Sequence, residues 1–174
     1  MLRLLSGLLL ATAIFPTPAA PPVAALQNLP NVAFPAPYRI ASGRLQASDI
    51  PALQAAGVRE VIDLSVDTET PGFDEAAALR KAGITYHNLP IHGASDLDHA
   101  HVERFDQLLA EAGNKLALVH CASSNRVGAM IALRAAALHG QSTEAALVEG
   151  RRWGLKGLEP AVRELLNRRQ DSAR

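Results

Sequence analysis

Leu116 to His120 reads LALVH, an almost wholly apolar run that leads directly into the chain's single cysteine, Cys121. A strand apolar at consecutive positions must be covered on both faces, which suits the centre of a parallel sheet. A short small-residue stretch follows, Ala122-Ser123-Ser124-Asn125, and from about Asn125 to Leu138 the chain is Ala-rich and helical in pattern. A strand running through a tight turn into a helix is the repeating step of an α/β fold.

The rest of the chain repeats that step. Tyr38–Ser42 is a short strand candidate, and Ser48-Asp49 caps a helix through Ala56 that Gly57 ends. Val58–Leu64 is a β-branched strand, Phe73–Ala82 a helix closed by Gly83, and Ile84–Ile91 the next strand. Asp96 or Asp98 caps a helix to about Ala112, with Val102, Phe105, Leu108, Leu109 and Ala112 at helical spacing. Two more helices are expected near Ser142–Arg152 and Leu158–Arg168. The order implies an α/β fold with a mostly parallel central sheet of 4–5 strands and helices on both faces.

The first residues differ from the rest. Arg3, an apolar run from Leu4 to Phe15, and a Pro- and Ala-rich exit ending in Val23-Ala24-Ala25 match a secretory signal peptide. The run is short of the ~20 apolar residues that span a bilayer. The expected organisation is a signal peptide at 1–25, an extended N-terminal segment or linker at 26–37, and an α/β domain at 38–174. The protein is then periplasmic or secreted, with no stable membrane insertion after cleavage. Cleavage removes one basic residue and leaves 16 basic against 17 acidic side chains. That balance gives no nucleic-acid footprint, which needs a basic excess.

One cysteine excludes a disulfide framework within the chain. A lone thiol in an oxidising compartment is a liability unless buried or used. Cys121 stands at the carboxyl end of a central strand, where α/β sheets place ligands. The positive end of the following helix favours the thiolate and draws backbone N–H groups towards one point. Arg126 falls in the first helical turn, where its planar guanidinium can clamp two oxygens of an anion. Nucleophile, N–H cradle from Ala122, Ser123, Ser124 and Asn125, and Arg126 together suit covalent transfer of an anionic group.

The segment His120-Cys121 through Gly128 is similar to that of the phosphatase-like domain accompanying beta-lactamase-hydrolase-like proteins. That family lies within the protein tyrosine and dual-specificity phosphatase superfamily. Ala41-Ser42-Gly43, Leu53 to Val58, Val61 to Leu64, Gly83 to Tyr86, Leu89-Pro90-Ile91, Gly154-Leu155 and Leu158-Glu159-Pro160 extend the resemblance over residues 36–168. It implies a three-layer cysteine-phosphatase-like fold, a cysteinyl-phosphate intermediate on Cys121, and a loop-ordering role for His120. It also implies an anionic small-molecule or phosphoprotein substrate.

Two positions depart from the superfamily pattern. Four residues separate Cys121 from Arg126, one fewer than usual, and Val127 stands where the superfamily has Ser or Thr. The shorter loop resembles that of rhodanese-type sulfurtransferases, where the cysteine carries a persulfide. A sulfurtransferase and an idle anion- or partner-binding domain are therefore alternative readings. A phosphatase needs an acid for the leaving oxygen. Asp96 is the first candidate, with Asp98 and His92 as rivals. His99 and His101, beside Asp96 and Asp98, do not share a helix face, and neither a metal nor a cofactor is expected for the chain.

Overall fold

The computed structural model of the chain describes residues 23–172. Most of the expected signal segment, residues 1–22, lies outside the described residues. Five strands form one sheet: β1 Ala33–Ala36, β2 Arg39–Ser42, β3 Glu60–Asp63, β4 Thr85–Asn88 and β5 Ala117–His120. Their spatial order is β1-β2-β5-β3-β4. All neighbouring pairs are parallel except β1 with β2. The expected α/β class, mostly parallel sheet and two helical layers are what the structure has.

β5 sits in the middle, and each of its residues is buried. Its alternating side chains feed two separate cores. Val119 joins Ile62 of β3 and Ala41 of β2 on one face. That face is covered by α3 (His99–Ala112), α4 (Asn125–Ala137), α5 (Thr143–Arg152) and α6 (Glu159–Ser172). Phe105, Met130, Leu147 and Val162 fill it, each fully buried. Burying one such side chain contributes about 1.5–3 kcal/mol. Leu118 joins Val61 and Ile40 on the opposite face, under α1 (Ile50–Ala55) and α2 (Glu75–Lys81).

The helix starts follow from local chemistry. Asp74, Asp98 and Ser142 each accept a hydrogen bond from the backbone N–H three residues on, capping α2, α3 and α5. Pro51 occupies the first turn of α1, where a missing N–H costs nothing.

Residues 26–37 are part of the domain, not a linker or free arm. Leu26 and Leu29 are buried in the core beneath α1. Ala33–Ala36 pairs with β2 as an antiparallel edge strand, and an edge is where Pro35 is tolerated. The folded domain therefore begins near Leu26 instead of Tyr38. Among the described residues, no helix is long and apolar enough to cross a membrane.

Candidate active site

β5 delivers Cys121 to the face shared with α3–α6, where its side chain is buried among apolar neighbours. Residues 121–126 then turn into α4, whose N-terminus opens on the loop. The first N–H groups of a helix have no partner within it, so this end is electropositive and suited to an anion.

Within this loop Ser124 adopts a left-handed φ of 64°. A non-glycine residue there is uncommon and needs support from its surroundings. Ser124 Oγ donates to the Asn31 carbonyl at 3.1 Å. Gly154, itself at φ 99°, packs against Ser124: a Cβ on Gly154 would lie 2.5 Å from the Ser124 Cβ. Asn125 Oδ1 accepts the backbone N–H groups of Lys156 at 2.8 Å and Leu158 at 3.2 Å. The Asn125 side chain is thus turned towards the segment behind the loop, a contact separate from the backbone N–H role expected of this residue. Ser123 is exposed and Ala122 half-buried, and the Ala122 carbonyl accepts from Arg44 N.

Arg126 is held on one edge. Its Nη1 and Nη2 donate to the two carboxylate oxygens of Glu69 at 2.7 and 2.6 Å. Nη1 also donates to the Ile91 carbonyl at 2.7 Å and the Leu64 carbonyl at 3.3 Å. These contacts fix the plane of the guanidinium and occupy its far fork. The thiol of Cys121 interacts with the same guanidinium. The pairing with Glu69 raises the pKa of Arg126 above its ordinary value, and hydrogen bonding from Arg126 lowers that of Glu69. Arg44 stands 3.9 Å from Glu69 as a second cation.

The acid candidates separate. Asp96 accepts from His92 N at 2.9 Å and Ser95 Oγ at 2.9 Å, and its Oδ2 lies 2.7 Å from His92 Nδ1. The backbone N–H of His92, then its ring, then Ser95 lower the Asp96 pKa to about 2. A carboxyl that low is ionised at neutral pH and carries no proton to give. Asp98 accepts from His101 N as the α3 cap, which lowers its pKa as well. His92 remains, its ring exposed and oriented through Nδ1 by Asp96. It directly follows Ile91, whose carbonyl holds Arg126.

His120 points to the other face of the sheet. It lies 2.8 Å from a Glu75 carboxylate oxygen and 3.5 Å from one of Asp63. Glu69, Glu75 and Asp63 were not among the sequence candidates. The available signal was position: Asp63 ends a parallel strand, and Asp67-Thr68-Glu69 follows in the connection where such sheets bind ligands.

No family model and no curated protein matches the sequence. Solved structures do. A candidate phosphatase (DUF442) from Shewanella putrefaciens superposes with a TM-score of 0.66 at 22% identity, covering 84% of this chain and 97% of that one. TpbA of P. aeruginosa gives 0.60 at 26%, covering 79% and 83%. PTPMT1 in complex with PI(5)P gives 0.61 at 17%, covering 83% and 99%. The chain has the fold of the tyrosine and dual-specificity phosphatase-like superfamily.

Proposed function

We propose that this chain is a cysteine-dependent phosphatase that hydrolyses a phosphomonoester through a cysteinyl-phosphate on Cys121. The observation that carries the reading is the presentation of Arg126. Glu69 fills one fork of the guanidinium, and the group interacts with the Cys121 thiol. A planar cation oriented beside a thiol at a helix N-terminus is what an in-line attack on a phosphoryl group requires. The shared fold supports it, since TpbA has been crystallised with pTyr and PTPMT1 with PI(5)P.

In the first step the Cys121 thiolate forms a bond to phosphorus as the ester P–O bond breaks. The electron pair leaves with the oxygen, which takes a proton from the His92 imidazolium. In the second step water attacks the cysteinyl-phosphate, His92 takes a proton from that water, and the S–P bond breaks. Phosphate leaves and the thiolate is restored. Arg126 and the loop N–H groups carry the added negative charge in both steps. Ser123, the exposed member of the loop, faces incoming substrate.

We also propose that the protein works outside the cytoplasm after removal of residues 1–25. Such a cut would keep Leu26, which is fully buried in the core, as the first residue.

The test is turnover of aryl phosphates by the purified protein, with rapid quench and intact mass to trap the intermediate. A phosphate adduct that disappears in Cys121→Ser is expected. Gain of one sulfur on Cys121 from thiosulfate, without phosphate release, would replace this reading with sulfur transfer.

A further inference from the structure

Asp63, Glu75 and His120 meet behind the nucleophile, on the α2 side of the sheet. All three are buried, and their ligand atoms lie within 4.8 Å of one another. Two carboxylates and an imidazole in one buried place are costly unless compensated. Asp63 is compensated: Ser65 N donates to its Oδ1 at 2.7 Å and Tyr86 Oη to its Oδ2 at 2.9 Å. Glu75 is not. Neither of its oxygens makes a hydrogen bond, and neither ring nitrogen of His120 makes one. The 2.8 Å approach of His120 Nε2 to Glu75 Oε1 is close but off the axis of a ring N–H. Among the described residues, no lysine or arginine pairs with Asp63 or Glu75.

The distances fit a different occupant. Around a tetrahedral zinc with bonds of about 2.0–2.1 Å, neighbouring ligand atoms sit roughly 3.3 Å apart. Here His120 Nε2 lies 2.8 Å from Glu75 and 3.5 Å from Asp63. The two negative charges match one divalent cation. The mixed nitrogen and oxygen donors favour a transition ion over magnesium or calcium, which take oxygen alone. A way in also exists. A cavity of about 290 Å³ reaches Asp63 and Glu75, and Asp67 and Asp74 line it with Tyr86 and Asn88. The acidic lining draws cations inward.

We propose that Asp63, Glu75 and His120 bind one divalent transition-metal ion, zinc in the first instance, with the remaining coordination position open to the cavity. The ion fixes the His120 ring from the side opposite Cys121 and so braces the strand end that starts the loop. The site is independent of the reaction proposed for Cys121. The sequence reading expects no metal anywhere in the chain, weighing only His99 and His101; Asp63, Glu75 and His120 come together only in the fold.

The experiment treats the purified chain with a chelator, reloads it with zinc or magnesium, desalts it, and measures bound metal. One zinc per chain and no magnesium are expected. Glu75→Gln should weaken zinc binding by more than the ~10–100-fold typical of losing an outer partner. Cys121→Ser should leave it unchanged. X-ray absorption of zinc-loaded wild type provides a reading that needs no variant: one nitrogen, oxygens and no sulfur are expected. Absence of stoichiometric zinc, loss of zinc in Cys121→Ser, full binding by Glu75→Gln, or sulfur or a second imidazole on the metal would each overturn the proposal.

Discussion

His120 and Cys121 are adjacent in the chain and sit in opposite environments. On the Cys121 face the half-buried Arg126 is held by Glu69 and the Leu64 and Ile91 carbonyls, and the surroundings are apolar. On the His120 face the ionisable groups are more deeply buried and less complete, with Glu75 and His120 lacking hydrogen bonds. The period of two along a strand separates them. One strand end thus carries both proposed sites: a reactive centre assembled from the chain's own groups, and a charged cluster proposed to take up a metal ion.

The largest expected effect is on the complete face. Gly128 lies where α4 crosses the segment after α5, and a Cβ there would sit 2.1 Å from Leu155 N. Backbone on both sides cannot yield cheaply. Gly128→Ala is expected to cost at least the upper end of the ~1–3 kcal/mol typical of overpacking. At this chain length that lowers the thermal midpoint by roughly 6–12 °C. An unchanged melt would mean that the α4–α5 contact is not what shapes the loop.

Next come the groups proposed to act on the anion. Arg126→Lys should lose turnover almost as fully as Arg126→Ala, on the order of 10²–10³-fold, because an ammonium cannot fork around two oxygens. Glu69→Gln keeps the shape of the carboxylate but not its charge, and should lower kcat/KM by ~10–100-fold, the ~1.5–3 kcal/mol of a charge-assisted hydrogen bond. The folded-state pKa of Glu69 is lowered from the ordinary 4.5. Its contribution is therefore present above that value and fades as pH falls through the lowered one. A melt series down the acid range should show a stability step in wild type that Glu69→Gln lacks. Equal curves would mean that the Arg126 geometry is set by the two carbonyls alone.

How much of this was readable beforehand divides along the same line. Local patterns carried the elements: LALVH became β5, the expected helix from Asn125 became α4, and Asp98 capped α3. The placing of Cys121 and Arg126 at the two ends of one strand-to-helix loop was readable because both lie in one short window. β1 was missed because Pro35 and the left-handed residues Asn31 and Tyr38 break any periodicity around it. Glu69 was missed because it reaches Arg126 across 57 positions. Glu75 and His120 likewise meet only through packing of α2 on the sheet. Pairings of that kind are set by topology, and no window of sequence contains both partners. The bond made by the Asn125 side chain was unreadable for the same reason, its partners Lys156 and Leu158 lying in a distant turn.

That bond makes a smaller prediction. Asn125→Ala leaves the N–H groups of Lys156 and Leu158 without their acceptor, beside a partly exposed surface where water can replace it. A loss of about 1 kcal/mol in urea unfolding is expected, with KM for an aryl phosphate nearly unchanged. A large rise in KM at unchanged stability would put the Asn125 side chain on the substrate instead.

The smallest effect is expected at Asp96, and its value lies in which substrate shows it. The Asp96 carboxyl is ionised across the working range, its pKa lowered to about 2 by the His92 N–H, the His92 ring and Ser95. In the proposed reaction its part is to orient the histidine that supplies the proton. Because His92 is largely exposed, the charge of Asp96 is screened by solvent and its loss costs little. Asp96→Asn keeps an acceptor oxygen for the ring, so alkyl-phosphate hydrolysis should fall only a few-fold. Aryl phosphates, whose leaving oxygens need less help, should barely change. His92→Ala should widen the gap between alkyl and aryl substrates to ~10²-fold, the lower end of what a general acid contributes. If instead Asp96→Asn abolished alkyl-phosphate turnover while His92→Ala spared it, Asp96 would itself deliver the proton. The histidine would then be the orienting member of the pair.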